Sequence, residues 1–130
     1  MTRKQFDRLV ADALASLPAN YRALLENVAV IVEDQPQGQG SLDEIADDED
    51  LLMGEFIGVP RTGRALWDMP PEPARVVLYQ KNIEAYAEDC AAEDPSGPGV
   101  EETIREEVRL TVLHELGHFF GLDEDALEDV

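Results

Sequence analysis

Hydrophobic positions along this chain change period several times, and each change marks an element. Phe6, Leu9, Val10, Ala13, Leu14 and Leu17 recur at helical spacing, which predicts an amphipathic helix with one apolar face. Thr2 and Gln5 have the spacing of a capping box at its start, and Pro18 closes the run. "NVAVIVED" (27–34) is apolar on both faces and rich in β-branched side chains, so it predicts a buried strand. "LLMGEFIGVP" (51–60) predicts a second strand, in which Gly54 and Gly58 mark bulges or a close backbone approach. "ARVVLYQKN" (74–82) predicts a third strand, and "NIEAYAEDCA" (82–91) a short helix.

Helical spacing returns from about Val100 to Phe120, a helix of about 30 Å at ~1.5 Å per residue. Ile104, Val108, Leu113, Leu116 and Phe120 supply its apolar contacts. Glu101 and Glu102 fall in the first turn, where the helix dipole favours acids. Arg105 and Arg109 stand in reach of Glu101, Glu102 and Glu106. Gly121 sits where a left-handed C-terminal cap belongs.

Composition then narrows the functional classes. The 130 residues fit one domain, 1–130, long enough for a core without disulfide staples. Ten Lys and Arg stand against 29 Asp and Glu, a formal net charge of −19. Such a surface repels phosphate backbones and anionic membranes, so neither nucleic acid nor membrane is an expected partner. No apolar run approaches the ~20 residues of a membrane span, and Asp7, Arg8 and Asp12 interrupt the opening segment. Cys90 is the single cysteine and follows Glu88 and Asp89, which oppose a thiolate. With no intrachain disulfide possible, a cytoplasmic location is the expectation. Residues 33–60 contain no Lys or Arg, and Asp43, Asp47, Asp48 and Asp50 do not fit the spacing of an EF-hand loop. This acidic stretch, about 35–50, reads as a solvated excursion.

The chemistry concentrates near the end, in "HELGHFFGLDED" (114–125), which holds both histidines of the chain. His114 and His118 are four residues apart, so on a helix two imidazoles can grip one metal ion. Glu115 is rotated by about 100° from His114, in reach of a metal-bound water rather than of the metal. There it can take a proton as water attacks a carbonyl and pass it to a leaving amine. Five residues of this kind also occur by chance. Three features argue otherwise: both histidines fall in the motif, the motif lies on an independently predicted helix, and Gly117 sits inside it at a cost of up to ~1 kcal/mol relative to Ala.

These residues resemble the zincin metallopeptidases, and within them the short bacterial mini-zincin family with its HExxHxxGxxD-type motif. "FDRLVADALASLP" looks like that family's opening helix, "NVAVIVED" like its first strand, and "GEFIGVP" and "RVVLYQKNIE" like its later strands. "TVLHELGHFFGLDED" looks like its active helix and turn, and is by far the most specific segment. The resemblance implies an α+β minimal zincin-like domain: a small mixed sheet packed against an N-terminal helix and a long active-site helix. It implies one Zn2+ held by His114 and His118, with Glu115 as general base, acting on a peptide or protein substrate. The third ligand falls six residues after the second histidine, where metzincins have His and Asp-zincins Asp; here it is Glu124, flanked by Asp123 and Asp125. Glu124 is the first choice, Asp123 the alternative and Asp125 the third. The same acids could instead cap a following short helix, "DEDALEDV". Met1, Met53 and Met69 all precede the motif, so the Met-turn of metzincins is absent.

The resemblance also implies a substrate extended along an edge strand, either "RVVLYQ" or "GEFIG". Arg75, Tyr79 and Tyr86 are oxyanion-donor candidates by residue type, each with a structural role as the simpler alternative. The competing functional class is a metal-binding or protein-interaction domain without peptidase activity. A nucleic-acid mimic rests on charge alone. The oligomeric expectation is a monomer or weak homodimer.

Overall fold

A computed structural model of the chain describes residues 1–40, 51–58 and 74–119. In chain order these form α1 (Arg3–Ala15), α2 (Ala19–Leu24), a 3-10 turn (Leu25–Asn27), β1 (Val28–Glu33), β2 (Gly54–Ile57), β3 (Ala74–Tyr79), α3 (Gln80–Glu93) and α4 (Val100–Phe119). The acidic stretch 41–50 lies outside the described residues, as does everything after Phe119.

The first helix starts as its sequence dictates. Thr2 accepts from the Gln5 backbone N–H at 3.1 Å, and the Thr2 N–H donates to the Gln5 side chain at 2.9 Å. Phe6, Leu9, Val10 and Ala13 form its buried face. The helix ends at Ala15, before Pro18, which then opens α2, a helix the apolar pattern does not announce. Tyr21 on α2 is fully buried and belongs to the same core as the buried face of α1.

The sheet has the order β1-β3-β2, with β3 parallel to β1 and antiparallel to β2. Alternation of side chains across the pleat gives the two faces different neighbours. Val28, Val30 and Val32 stand opposite Ala74, Val76 and Leu78, and Gly54 and Phe56 stand opposite Leu78 and Val76. The apolar side chains of this face belong to the core shared with α1, α3 and α4. The mixed sheet under a helical layer is the α+β arrangement expected of the chain.

Three expectations need correction. "NVAVIVED" is an edge strand, not one buried on both faces: among the described residues β1 pairs only with β3, and Ile31 on its outer face is 37% exposed. The central strand is β3, where Val76, Val77, Leu78 and Tyr79 are all buried. The third strand also ends earlier than its β-forming residues suggest, because Gln80 to Asn82 already belong to α3. The second strand shrinks to Gly54–Ile57.

Polar contacts explain that early helix start. Asn82 is fully buried, and its amide donates to Leu52 O at 2.8 Å. It also exchanges two bonds of 2.8 Å with Gln39. One side chain therefore ties together the two described ends of the acidic stretch. Gln80 accepts from Arg3 at 2.6 Å, while Arg3 also donates to Val32 O at 2.9 Å and pairs with Asp34 at 2.6 Å. The start of α1, the end of β1 and the start of α3 meet at that guanidinium.

The helix that carries the motif packs against α1, α3 and β2. Ile104, Val108, Val112 and Leu116, each four residues from the next, are all fully buried. Gly54 lets α4 approach the sheet: a Cβ there would lie 2.7 Å from Val77 O and 2.9 Å from Thr111 Cγ2. A Gly54→Ala substitution is therefore expected to destabilise the protein by roughly 1–3 kcal/mol through overpacking. Urea denaturation measures this, and an unchanged midpoint would show that the helix and strand can part without cost.

Candidate metal centre and adjoining cleft

The last two turns of α4 place both imidazoles together. The His114 and His118 ring centroids are 4.3 Å apart, with the rings tilted by 47°. Both residues are exposed, whereas Gly117 and Leu116 beside them are buried. Helix geometry causes this split. His114 and His118 share a face with Thr111 and Glu107, at successive spacings of three and four, while Leu116 continues the buried stripe. Glu115 lies between the two stripes and is partly buried.

Two adjacent, solvent-facing imidazoles with a carboxylate beside them are a donor set that suits a divalent ion of intermediate softness. They supply two ligands. Among the described residues no three His, Cys, Asp or Glu side chains group closely enough to hold an ion. The expected third ligand, Glu124, and its alternatives Asp123 and Asp125 lie outside the described residues.

A cleft of about 560 Å³ opens beside His114 and Glu115. Its other walls come from α4, through Glu107, Leu110, Thr111 and Leu113, and from the approach to β2, through Leu52, Met53 and Gly54. Sequence reasoning missed these wall residues. Glu107 and Thr111 carry a signal that could have found them, since they extend the histidine stripe backwards along the helix. Leu52 and Met53 carry none, because their arrival depends on how β2 packs.

Glu107 has the perturbed environment of the site. Burial, and then the neighbouring charge of Glu106, push its carboxyl above the ordinary value near 4.5. The nearby cations are turned elsewhere: Arg109 pairs with Glu106 at 3.7 Å, and Arg105 with Glu102 at 3.0 Å and Asp12 at 3.9 Å. Those arginine pairs with Glu102 and Glu106 match the helix spacings read from the sequence. Among the described residues Glu107 has neither a salt-bridge nor a hydrogen-bond partner.

None of Arg75, Tyr79 and Tyr86 lines this cleft. Arg75 and Tyr79 pair across the sheet with Ala29 and Glu33, on the face opposite Val76 and Leu78 and so away from α4. Burial, then Glu55 and Glu33, push the Tyr79 phenol up. Tyr86 borders a neighbouring hollow with Pro98, Glu102, Thr103 and Glu106, and Glu107 and Leu110 line both that hollow and the cleft. The strand alternative is also resolved in part: β3 is paired on both sides, while among the described residues β2 is paired only with β3.

The arrangement is that of a zincin-like metallopeptidase: a helix bearing HExxH beside an edge strand. The chain matches the zincin-like metallopeptidase family over residues 25–130 and belongs to it. Among solved structures, a conserved hypothetical protein from Thermo thermophilus is similar, with a TM-score of 0.50 and 21% sequence identity. The match covers 92% of this chain and 94% of that one, and it shows a shared fold. No curated protein matches the chain. Among the described residues no helix is long and apolar enough to cross a membrane.

The Glu107 environment has a measurable consequence. Because its folded-state pKa is raised, the folded protein binds more protons than the unfolded one between about 4.5 and the raised value. Stability therefore falls as pH rises through that window. In the metal-free protein, Glu107→Gln is expected to be more stable than wild type at pH values above the window and to lose that advantage below it. Denaturant midpoints at neutral and acidic pH test this; an offset independent of pH would contradict it.

Proposed function

We propose that the protein is a zinc-dependent peptidase in which His114 and His118 hold one Zn2+ and Glu115 is the general base. The observation that carries this reading is the pairing of two exposed imidazoles on α4 with Glu115 at the mouth of a cleft next to β2. Glu124 is proposed as the third ligand and Asp123 as its alternative.

When bound, zinc supplies Lewis acidity, acidifying a water and polarising the scissile carbonyl. The chain's own residues do the rest. The β2 edge, unpaired among the described residues, offers backbone hydrogen-bonding groups to an extended peptide, as strand addition requires. Leu52, Met53 and Leu110 flank the cleft with apolar surface that displaces water from the reacting groups. Glu115 accepts the proton of the attacking water and delivers it to the departing amine, closing the proton balance. Its partial burial keeps it at the cleft, which it lines together with His114.

A second reading, a metal-binding or protein-interaction domain without activity, is favoured by one observation: none of the oxyanion-donor candidates lines the cleft. A zinc-loaded preparation that leaves a broad peptide library uncut would favour it.

Two experiments test the leading reading. Zinc content after dialysis is expected to be near one ion per chain in wild type and in Glu115→Gln, and lost in His114→Ala. Peptide cleavage is expected to fall by at least about a hundredfold in Glu115→Gln, the order of a general-base contribution; equal rates in the two proteins would remove Glu115 from the mechanism. For the third ligand, Glu124→Ala is expected to lower zinc affinity more than Asp123→Ala. Competition with a chromogenic chelator measures the difference, and the reverse order would assign the ligand to Asp123.

A further inference from the structure

The cleft contains a carboxylate that the peptidase reading does not use. Glu107 lies seven residues before His114, so it stands on the same helix face about two turns away, roughly 10.5 Å along the axis. It lines the same cleft as His114 and Glu115, as well as the hollow beside it, and among the described residues nothing neutralises it. Arg105 and Arg109 are held by Glu102, Asp12 and Glu106 instead.

Apart from Thr111, the rest of the cleft is apolar. Leu52 and Leu110, at 42% and 48% exposure, are two of the four exposed large hydrophobic residues among those described, and both line it alongside Met53. An aliphatic wall ending in a carboxylate that has no partner among the described residues is complementary to one kind of side chain: a long apolar stem with a cationic head. An acidic side chain there would meet Glu107 and Glu115, with no Lys or Arg among the described lining residues to relieve the repulsion. The formal net charge of −19 adds attraction for basic segments at longer range.

We propose that this cleft is the subsite for a lysine or arginine side chain of the substrate, and that Glu107 is the residue that selects it. The proposal rests on reading the site as one that receives a peptide. An extended chain advances ~3.3 Å per residue, so a residue close to the scissile bond can send its stem along Leu52 and Leu110 to Glu107. The half-buried carboxylate then gains in the complex a cation that it lacks among the described residues.

The test separates the subsite from the chemistry. Zinc-loaded Glu115→Gln, as the full chain, is titrated with fluorescein-labelled alanine hexapeptides carrying one lysine, or one norleucine, at each position in turn. Norleucine keeps the stem and removes the charge. At one position lysine is expected to bind about tenfold more tightly than norleucine, the scale of one charge-assisted hydrogen bond in a partly exposed site. Adding Glu107→Gln is expected to erase that preference, while Glu107→Asp keeps part of it; circular dichroism confirms that the variants fold. A lysine preference that survives Glu107→Gln, no preference at any position, or no peptide binding would each overturn the proposal. If the preference depends on Glu107 but wild-type protein cuts none of the peptides, the subsite stands and the hydrolytic reading fails. If wild type cuts peptides without a preference dependent on Glu107, the hydrolytic reading stands and the subsite fails.

Discussion

The site depends on how closely α4 approaches the edge strand β2. Gly54 and Thr111 set that approach, since a Cβ at Gly54 would come within 2.9 Å of the Thr111 methyl and 2.7 Å of a β3 carbonyl. Close contact there brings Leu52 and Met53 against the helix face that carries Glu107, Thr111 and His114. Moved outward by even a small side chain, the helix would still bear its motif, but the cleft beside it would lose one wall. The rigidity that fixes the approach comes from the other face of α4, where four fully buried side chains run in a four-residue stripe into the core with α1 and α3. One helix is thus both the centre of the core and the platform of the site, which is how a small domain can hold functional groups precisely.

Electrostatics and packing pull against each other along the same helix. Glu102 and Glu106 are met by Arg105 and Arg109, and these exposed pairs contribute little to stability. Glu107 faces the cleft, is partly withdrawn from water, and is held above the usual carboxylate range by that burial. A charge retained where folding disfavours it marks a site more readily than a core. The Asn82 amide shows the opposite case: it is buried with its hydrogen bonds made, and it serves to join Gln39 to Leu52.

Much of this is legible in the chain itself. The α1 capping box, the course of α4 and its arginine pairs follow from local spacing, because each involves residues within one helical turn. The histidine pair and Glu115 are legible for the same reason. The order of the strands is not. "NVAVIVED" and "ARVVLYQKN" are similarly apolar, and only pairing distinguishes an edge strand from a central one. Gln80 and Asn82 look like the end of a strand because their helical start depends on distant partners, Arg3 for one and Leu52 and Gln39 for the other. The cleft walls at Leu52 and Met53 stay hidden because no local pattern records what β2 packs against. Arg75 and Tyr79 are reasonable donors by type, but strand alternation sends them to the far face of the sheet.

The central claim is that His114 and His118 act together on one zinc ion. X-ray absorption at the zinc edge of the loaded protein reads the coordination shell directly. The account predicts two imidazole nitrogens at about 2.0–2.1 Å completed by oxygen donors. A shell of oxygen alone, or one containing the thiolate of Cys90 at about 2.3 Å, would contradict it.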